Sequence, residues 1–179
     1  MIEDLKATHF AAALQKAPPL PFQATVTRFA WEIHRASITS TVGAARWGGR
    51  WHMEGVRALY ASLERETGLA ELTHKFAPDE PLKPASMVSL IVSLDGVADF
   101  AGTPLQNALG VGLRDLIASE ADGGYRIPQH LGALAYGHGL DGILVPSAAR
   151  DGGHNLVIFV ANAQRTPFVV VRNFHHRSH

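Results

Sequence analysis

The segment from Trp47 to Phe76, WGGRWHMEGVRALYASLERETGLAELTHKF, constrains the fold more than any other part of this chain. It opens with two glycines, an arginine between two tryptophans and a histidine, and continues as a short apolar stretch and then a helical pattern. Glycine lets the backbone turn sharply and approach a ligand closely. An arginine fork beside flat aromatic rings suits an anionic, planar ligand. The segment therefore predicts a loop, a strand and a helix that together carry a binding site.

The bulk composition excludes several classes of protein. A chain of 179 residues with 46% hydrophobic residues is long enough for one domain with its own core. Sixteen basic residues balance sixteen acidic ones, which argues against an extended nucleic-acid surface. The absence of cysteine excludes disulfides, thiolate zinc sites and cysteine nucleophiles. With neither a signal-peptide pattern nor a membrane-length apolar run, we expect a cytoplasmic protein.

Periodicity predicts the following elements in the first half of the chain. A helical pattern covers residues 2–16 and ends at Pro18-Pro19, and β-branched and aromatic residues predict strand segments over 25–35. Residues 36–55 read as a long loop, and a loop of that length with Trp and Arg in it is typical of a functional site. A strand from Arg57 to Ser62 and a helix from Glu64 to Phe76 follow.

The second half adds a continuous apolar strand at 87–94 and one or two helices over 104–121, with Thr103 as the expected N-cap. A helix from Pro128 to Gly137 and three strands (Gly142–Val145, Leu156–Val160 and Phe168–Val171) complete the pattern. These elements predict a single compact α+β domain over 1–179, with a mixed, largely antiparallel sheet and flanking helices. We expect residues 1–24 to form a helical extension and residues 173–179 a frayed tail.

Metal and hydrolase motifs are weak. His130 and His138 are eight residues apart, the remaining histidines show no metal-ligand spacing, and three of them lie in the C-terminal tail. No GxSxG elbow or P-loop occurs, and the GlyValGly at 110–112 is only a fragment of a dinucleotide fingerprint. We therefore expect no metal site and no redox dinucleotide site.

Four residues remain as candidates for chemistry: Arg35, Arg50, Tyr60 and Glu71. Arginine meets two pyrophosphate oxygens at once, and Glu71 is an acid within the apolar stretch GlyLeuAlaGluLeu, where a developing positive charge would be stabilised. Structural interpretations stay open for each of these positions. Glu71 could face solvent and pair with His74 or Lys75, Tyr60 could be a core aromatic, and the GlyGlyArg turn could be an ordinary hairpin connection.

The order of the motifs resembles the RES-domain family, which is named for an Arg, a Glu and a Ser. The resemblance covers about residues 27 to 160. It rests on Arg35 and on the segments TrpGlyGlyArgTrpHis–MetGluGly (47–55), AlaLeuTyrAlaSer (58–62), LeuAlaGluLeuThrHis (69–74), GlyIleLeuValProSerAla (142–148) and AsnLeuVal (155–157). The family trio would then be Arg35, Glu71 and Ser147.

This resemblance implies a toxin of a bacterial toxin–antitoxin pair that consumes NAD, either as an NAD glycohydrolase or as a mono-ADP-ribosyltransferase, and that needs no metal. It also implies a fold like that of the diphtheria-type ADP-ribosyltransferases. Arg35 and Arg50 would hold the phosphates and ribose, with Gly48 and Gly49 letting the backbone come close, and Tyr60 would pack against the nicotinamide ring.

In the same resemblance, Glu71 would stabilise the oxocarbenium-like transition state, and Ser147 and Asn155 would help to fix the dinucleotide. An antitoxin protein of the Xre/ParS type would cover the active site, and in the transfer version a target protein would accept ADP-ribose. Neither nucleic acid nor membrane is an expected partner.

The chain departs from the family pattern at two points. His52 stands where the family commonly has Asn, and the stretch between Arg35 and Gly48 is short and lacks a common tyrosine. These changes prompt the hypothesis that transfer to a protein is favoured over hydrolysis. Two alternatives stay open: an RNA-cleaving toxin with His52 and Arg50 as its acid–base and phosphate-binding pair, and a non-enzymatic protein-interaction domain.

Overall fold

The computed structural model describes residues 6–74, 83–119, 123–163 and 168–176. Its strands are β1 (Leu20–Trp31), β2 (Ala58–Ser62), β3 (Ala85–Asp99), β4 (Gly142–Pro146), β5 (His154–Phe159) and β6 (Phe168–His176). Its helices are α1 (Ala7–Lys16), α2 (Val42–Trp47), α3 (Arg65–Thr73), α4 (Thr103–Leu109), α5 (Leu113–Ile117) and α6 (Arg126–Gly137), with a 3-10 helix at Glu32–Ser37 after β1. The predicted α+β class with a mixed sheet is confirmed.

The strands form one six-stranded sheet in the order β1-β2-β5-β4-β3-β6. Because β1 also pairs with the long strand β3, five of the six strands close into a ring and β6 extends from β3. Among the described residues the β3–β4 pair is parallel and the other pairs are antiparallel. Closure through β3 removes an exposed edge that would otherwise be open to other chains.

Alternating side chains of the strands supply two hydrophobic clusters on the two faces of the sheet. On β2, Leu59 and Ala61 belong to the cluster enclosed by the strands, whereas Ala58 and Tyr60 face the cluster covered by helices. Helix α1 joins this second cluster through Phe10, whose ring stacks on Phe100 with centroids 6.2 Å apart. The predicted N-terminal helix is therefore part of the packed domain.

β1 and β2 are paired as strands at one position only, Thr27 with Ser62. Strand β1 instead keeps its long register with β3, from Leu20 opposite Val97 to Trp31 opposite Ala85. The two neighbouring strands therefore diverge on either side of Thr27, and helix α3 lies against the gap between them. This divergence opens the sheet at the place where the candidate site lies.

Several element boundaries differ from those predicted. Strand β3 is longer than 87–94 because its inward positions stay apolar as far as Val97, and part of the predicted loop 36–55 forms helix α2. Gly102 is the N-cap of α4 rather than Thr103, which is the first helical residue. Helix α6 begins before Pro128, since proline is tolerated in the first turn of a helix.

The ends of the chain also differ in part from the prediction. Strand β6 continues to His176, so residues 173–176, predicted to lie in a frayed tail, pair with β3. Residues 20–24, predicted to belong to the N-terminal extension, form the start of β1. Lys75, Phe76 and residues 177–179 lie outside the described residues. In the described parts of the chain, no helix has the length and apolar character to cross a membrane.

Candidate active site

An open cavity of about 790 Å³ lies where β2, β4, β5 and helix α3 meet the α2 helix and the glycine turn after it. Volumes of this size hold a drug-sized or dinucleotide ligand. A second cavity of about 190 Å³ lies in the gap between β1, β2 and α3. The two cavities share four of their lining residues: Arg28, Tyr60, Glu71 and Asn155.

Glu71 is held at this shared wall by two short hydrogen bonds. Its Oε1 accepts from Ser147 Oγ at 2.6 Å and from Asn155 Nδ2 at 2.5 Å. Asn155 is itself fixed, because its Oδ1 accepts from Ser62 Oγ at 2.6 Å. Within the described ranges, no hydrogen bond reaches Oε2 of Glu71. The carboxylate is thus oriented through one oxygen, and the charge-assisted hydrogen bonds hold it in place at the cavity wall.

Ser147 lies behind the carboxylate rather than in the cavity. It is buried and does not line either cavity. Its Oγ accepts from the backbone N–H groups of Ala149 and Arg150, each at 3.1 Å, and donates to Glu71. The hydroxyl hydrogen is therefore directed at Glu71. The structure places Ser147 behind Glu71, in hydrogen-bond contact with it, and not on the cavity surface. The predicted role of Ser147 in fixing the dinucleotide stays a prediction.

The start of α3 is tied to the same β4–β5 connection. Glu64, the N-cap residue, accepts from Thr67 Oγ1 at 2.7 Å and from the backbone N–H of His154 at 3.1 Å. Burial acts to raise the pKa of Glu64, but these hydrogen bonds and the neighbouring His154 together hold it below its ordinary value. Arg150 Nη1 donates to Thr67 Oγ1 at 3.1 Å. Contacts at the start of α3, together with the two hydrogen bonds to Glu71 itself, therefore fix the position of this carboxylate.

Arg28 is the site residue that sequence reasoning missed. From β1, its guanidinium donates through Nε to the Ile38 carbonyl at 2.5 Å and through Nη1 to the Tyr60 carbonyl at 2.6 Å. Burial lowers the pKa of this guanidinium, but an arginine side chain stays charged in proteins. One signal in the sequence was available. Arg28 lies two residues after the buried Val26, so both side chains point to the same face of β1, and a charged residue occupies an inward position.

Arg35, predicted to bind NAD, is not brought to either cavity. Strand β1 ends at Trp31, and the 3-10 helix that follows carries Arg35 past the end of the sheet. Its side chain is 47% exposed and pairs with Glu32 at 3.6 Å. The prediction placed Arg35 on a strand, whereas the turn directs it to the surface.

The two glycines make the tight turn that was predicted. Gly48 ends α2 with a φ of +65°, which few residues other than glycine adopt, and Gly49 and His52 form an isolated β-bridge. A Cβ on Gly49 would lie 2.7 Å from His52 Cε1 and 3.0 Å from the Tyr60 hydroxyl. Gln129 on α6 donates to the Gly49 carbonyl at 3.0 Å. Glycine is therefore needed here for close packing of the cavity wall.

His52 and Tyr60 form a hydrogen-bond chain that is partly buried. His52 Nε2 lies 3.0 Å from the Ala44 carbonyl, and because a carbonyl only accepts, Nε2 carries the proton. Nδ1 is then the acceptor for the Tyr60 hydroxyl at 2.8 Å, and that hydroxyl oxygen accepts from the Trp51 N–H at 3.1 Å. Burial raises the pKa of the Tyr60 hydroxyl, although the Trp51 hydrogen bond acts to lower it.

Burial also lowers the pKa of His52, against the hydrogen bond to the Ala44 carbonyl, which acts to raise it. Both ring nitrogens thus have protein partners and the ring is 2% exposed. An acid–base role on RNA, the first alternative from the sequence, would need a nitrogen that can reach the substrate. The geometry favours a structural role for His52, which ties α2 to β2.

Arg50 lies on the wall of the larger cavity, and one nitrogen of its guanidinium, Nη1, is engaged by backbone carbonyls. Nη1 donates to the carbonyls of Ala118 at 2.7 Å and Leu116 at 3.3 Å. Its Cζ stands 4.6 Å from the centroid of the Tyr125 ring. Arg50 thus connects the glycine turn to the segment around α5 and to the N-terminus of α6.

The cavity therefore brings together most of the predicted site residues: Gly49, Arg50, His52, Tyr60, Glu71 and Asn155, with Ser147 directly behind Glu71. Among the described residues, no group of three or more His, Cys, Asp or Glu side chains is placed to hold a metal ion. The arrangement offers one fixed carboxylate, the half-buried cation of Arg28 and a glycine turn around a space of dinucleotide size. Such a site suits the stabilisation of positive charge on a bound ligand.

Comparisons with known proteins agree with this geometry. The sequence profile described as the RES domain matches residues 24–176. A chain in the crystal structure of the M. tuberculosis MbcT–MbcA toxin–antitoxin complex superposes with a TM-score of 0.76 at 19% identity, over 98% of this chain and 94% of that one. At that identity the likeness shows the fold. A comparison with curated proteins found no match.

Proposed function

The chain belongs to the RES-domain family, and from this premise we propose that it is the toxin of a toxin–antitoxin pair that cleaves the nicotinamide–ribose bond of NAD. The observation that carries the proposal is the carboxylate of Glu71. It is oriented by Ser147 and Asn155 on the wall of a cavity large enough for a dinucleotide. Other members of this family are expected to act on NAD, as the resemblance described above implies.

The proposed step needs electrostatic stabilisation more than acid catalysis. When the bond between C1′ of the ribose and the nicotinamide nitrogen breaks, nicotinamide keeps the electron pair and leaves as a neutral molecule. The positive charge moves to the ribose, as in the oxocarbenium-like transition state of glycoside hydrolysis. A carboxylate fixed before the reaction stabilises that charge without reorganising. Water, losing a proton, or a protein nucleophile then captures C1′.

The residues around Glu71 divide the remaining tasks. Arg28 has its Nε and Nη1 donors engaged with backbone carbonyls, so it supplies a fixed positive charge at the cavity wall near Glu71. We assign to Arg28 the role that the family resemblance implied for Arg35, which is to hold the phosphates and ribose of NAD. Tyr60 presents an aromatic ring with a neutral hydroxyl beside the same carboxylate, and the Gly49 backbone lets the ligand come close.

An antitoxin protein that covers the cavity is the proposed partner. The MbcT–MbcA structure is a toxin–antitoxin complex. In this chain the large apolar side chains of Val42, Trp47 and Met53 are 49–72% exposed, and Trp47 lines the cavity mouth. Exposed large apolar side chains concentrated in one segment, here residues 42–53, are typical of a surface that binds another protein. An antitoxin of the Xre/ParS type would cover them together with the cavity.

Labelled NAD tests the proposal and separates its two versions. Purified protein is incubated with NAD that carries a label on the adenylate half, with and without cell lysate. Release of nicotinamide with free labelled ADP-ribose supports hydrolysis, and label that becomes attached to a protein of the lysate supports transfer. Unchanged NAD in both mixtures contradicts NAD cleavage altogether.

A further inference from the structure

The stacked pair of Arg50 and Tyr125 lies on the wall of the larger cavity and has no part in the proposed chemistry around Glu71. The guanidinium of Arg50 is 4.6 Å from the centroid of the Tyr125 ring, and both residues line the cavity. Two backbone carbonyls hold Arg50 through Nη1. The ring of Tyr125 is therefore backed by a cation that is itself fixed, which gives a flat and rigid surface at the edge of the cavity.

The pair lies on the part of the larger cavity that is away from the smaller one, and Tyr60 connects the two parts of the wall. At the backbone end of Tyr60, its carbonyl accepts from Arg28, and Arg28 shares both cavities with Glu71. At the hydroxyl end, Tyr60 contacts Trp51 and His52 in the turn that carries Arg50. The smaller cavity, which includes Glu71, does not reach Arg50 or Tyr125.

We propose that Tyr125, backed by Arg50, is the stacking platform for the adenine base of NAD. This inference rests on the proposed function for the identity of the ligand. When the reacting ribose is placed at Glu71, the dinucleotide runs along Tyr60 and past the Gly49 backbone. Its adenylate half then reaches Tyr125. A purine presents a π-face to an aromatic side chain, and the adjacent guanidinium adds attraction for the base and for the phosphate beside it.

Trp47 is the other aromatic residue at the cavity mouth and supplies a matched control. Its ring is 72% exposed, and the guanidinium over it, from the exposed Arg46, is 4.9 Å from the ring centroid. The Tyr125 ring is half-buried and rests on an arginine whose position two carbonyls fix. A ring that is already ordered loses less conformational entropy when a base stacks on it, so Tyr125 is the platform that binds more tightly.

Binding of AMP to the purified full chain tests the inference, with nicotinamide mononucleotide as the probe for the other half of the dinucleotide. We expect Tyr125→Ala to weaken AMP binding, and to raise the KM for NAD, by about 5- to 100-fold. In the same variant, the affinity for nicotinamide mononucleotide and the kcat for NAD stay within about twofold of the wild-type values. This is expected when the lost contact acts equally in the ground state and the transition state. Tyr125→Phe keeps the ring and retains AMP binding, which separates stacking from misfolding, and Trp47→Ala changes AMP binding less than Tyr125→Ala does.

Three results would overturn the inference: no AMP binding to the wild type, equal loss of both probes in Tyr125→Ala, or loss of AMP binding in Trp47→Ala alone. Failure of the proposed function looks different. A protein that does not cleave NAD but binds AMP through Tyr125 has an adenylate site without the proposed reaction. A protein that cleaves NAD with an unchanged KM in Tyr125→Ala has the reaction without this platform.

Discussion

Replacing Ser147 with alanine separates orientation of the carboxylate from binding of the dinucleotide. The substitution removes the donor that lies 2.6 Å from Glu71 Oε1, while the cavity wall keeps its shape because Ser147 does not line it. A hydrogen bond to a charged group contributes about 1.5–3 kcal/mol. If that contribution acts on the transition state, kcat for NAD cleavage falls by about 10- to 150-fold.

The same change has a smaller effect on stability. The N–H groups of Ala149 and Arg150 lose their acceptor, but both residues are accessible enough for water to replace it. We expect the free energy of unfolding to fall by about 1 kcal/mol, which lowers Tm by about 2–4 °C in a domain of this size. The variant therefore stays folded at the assay temperature, and its kinetics can be compared directly with those of the wild type.

Ser86→Ala is the matched control for this experiment. Ser86 is also buried, and its hydroxyl also donates to a carboxylate, that of Glu32, but it lines neither cavity. Steady-state kinetics of nicotinamide release are measured for both variants, together with thermal unfolding by circular dichroism. A raised KM with unchanged kcat in Ser147→Ala would refute the reasoning, because it would mean that Ser147 contacts NAD. An equal loss of kcat in Ser86→Ala would show that lost stability explains the effect.

Five further substitutions, in three sets, test other parts of the account. Arg28→Lys loses the guanidinium fork that holds two carbonyls, so we expect it to lower kcat/KM for NAD by at least about 10-fold. Arg35→Ala changes a surface residue, so its kcat/KM stays within about twofold of the wild type. The reverse order in the NAD assay would show that Arg35 belongs to the site. Because burial holds the pKa of His52 below its ordinary 6.5, the unfolded chain binds more protons below pH 6.5, and the free energy of unfolding falls as the pH is lowered towards the folded-state pKa. Urea unfolding across that pH window should show a smaller fall in the free energy of unfolding for His52→Asn than for the wild type. An equal dependence on pH in the two proteins would contradict the lowered pKa of His52. Gly132→Ala would place a Cβ 1.9 Å from a backbone carbonyl oxygen and should cost about 3 kcal/mol of unfolding free energy, while Gly43→Ala, with open space in a helix, should leave Tm equal or higher.

The sequence predicted the loop, strand and helix around Glu71 because each carries a strong local signal. Two adjacent glycines mark the turn, an apolar run marks β2, and the order of the motifs pointed to the RES-domain family, which is confirmed. The fold class followed from the alternation of strands and helices in the same way. Such features depend on neighbours in the chain, so they can be read without knowledge of long-range contacts.

The error at Arg35 and the omission of Arg28 have one physical cause. Both arginines lie close to the end of β1, and which of them faces the cavity depends on where the strand stops and on its pairing with β3. These are long-range properties, and strand ends are the least reliable part of sequence reasoning. The position of Ser147 behind Glu71 could not be predicted for a similar reason, since its hydroxyl direction is set by hydrogen bonds with Glu71 and the loop that follows it.

Release of nicotinamide from NAD by purified wild-type protein and by Glu71→Gln is the most direct test of the central claim. Glutamine keeps the size of the side chain and removes the negative charge, and Glu66→Gln, an exposed position on the same helix, controls for the loss of one acidic residue. The account predicts that the wild type and Glu66→Gln release nicotinamide at similar rates and that Glu71→Gln is slower by at least about 100-fold, as for loss of one preorganised electrostatic group in an active site. Equal rates for Glu71→Gln and the wild type would contradict it.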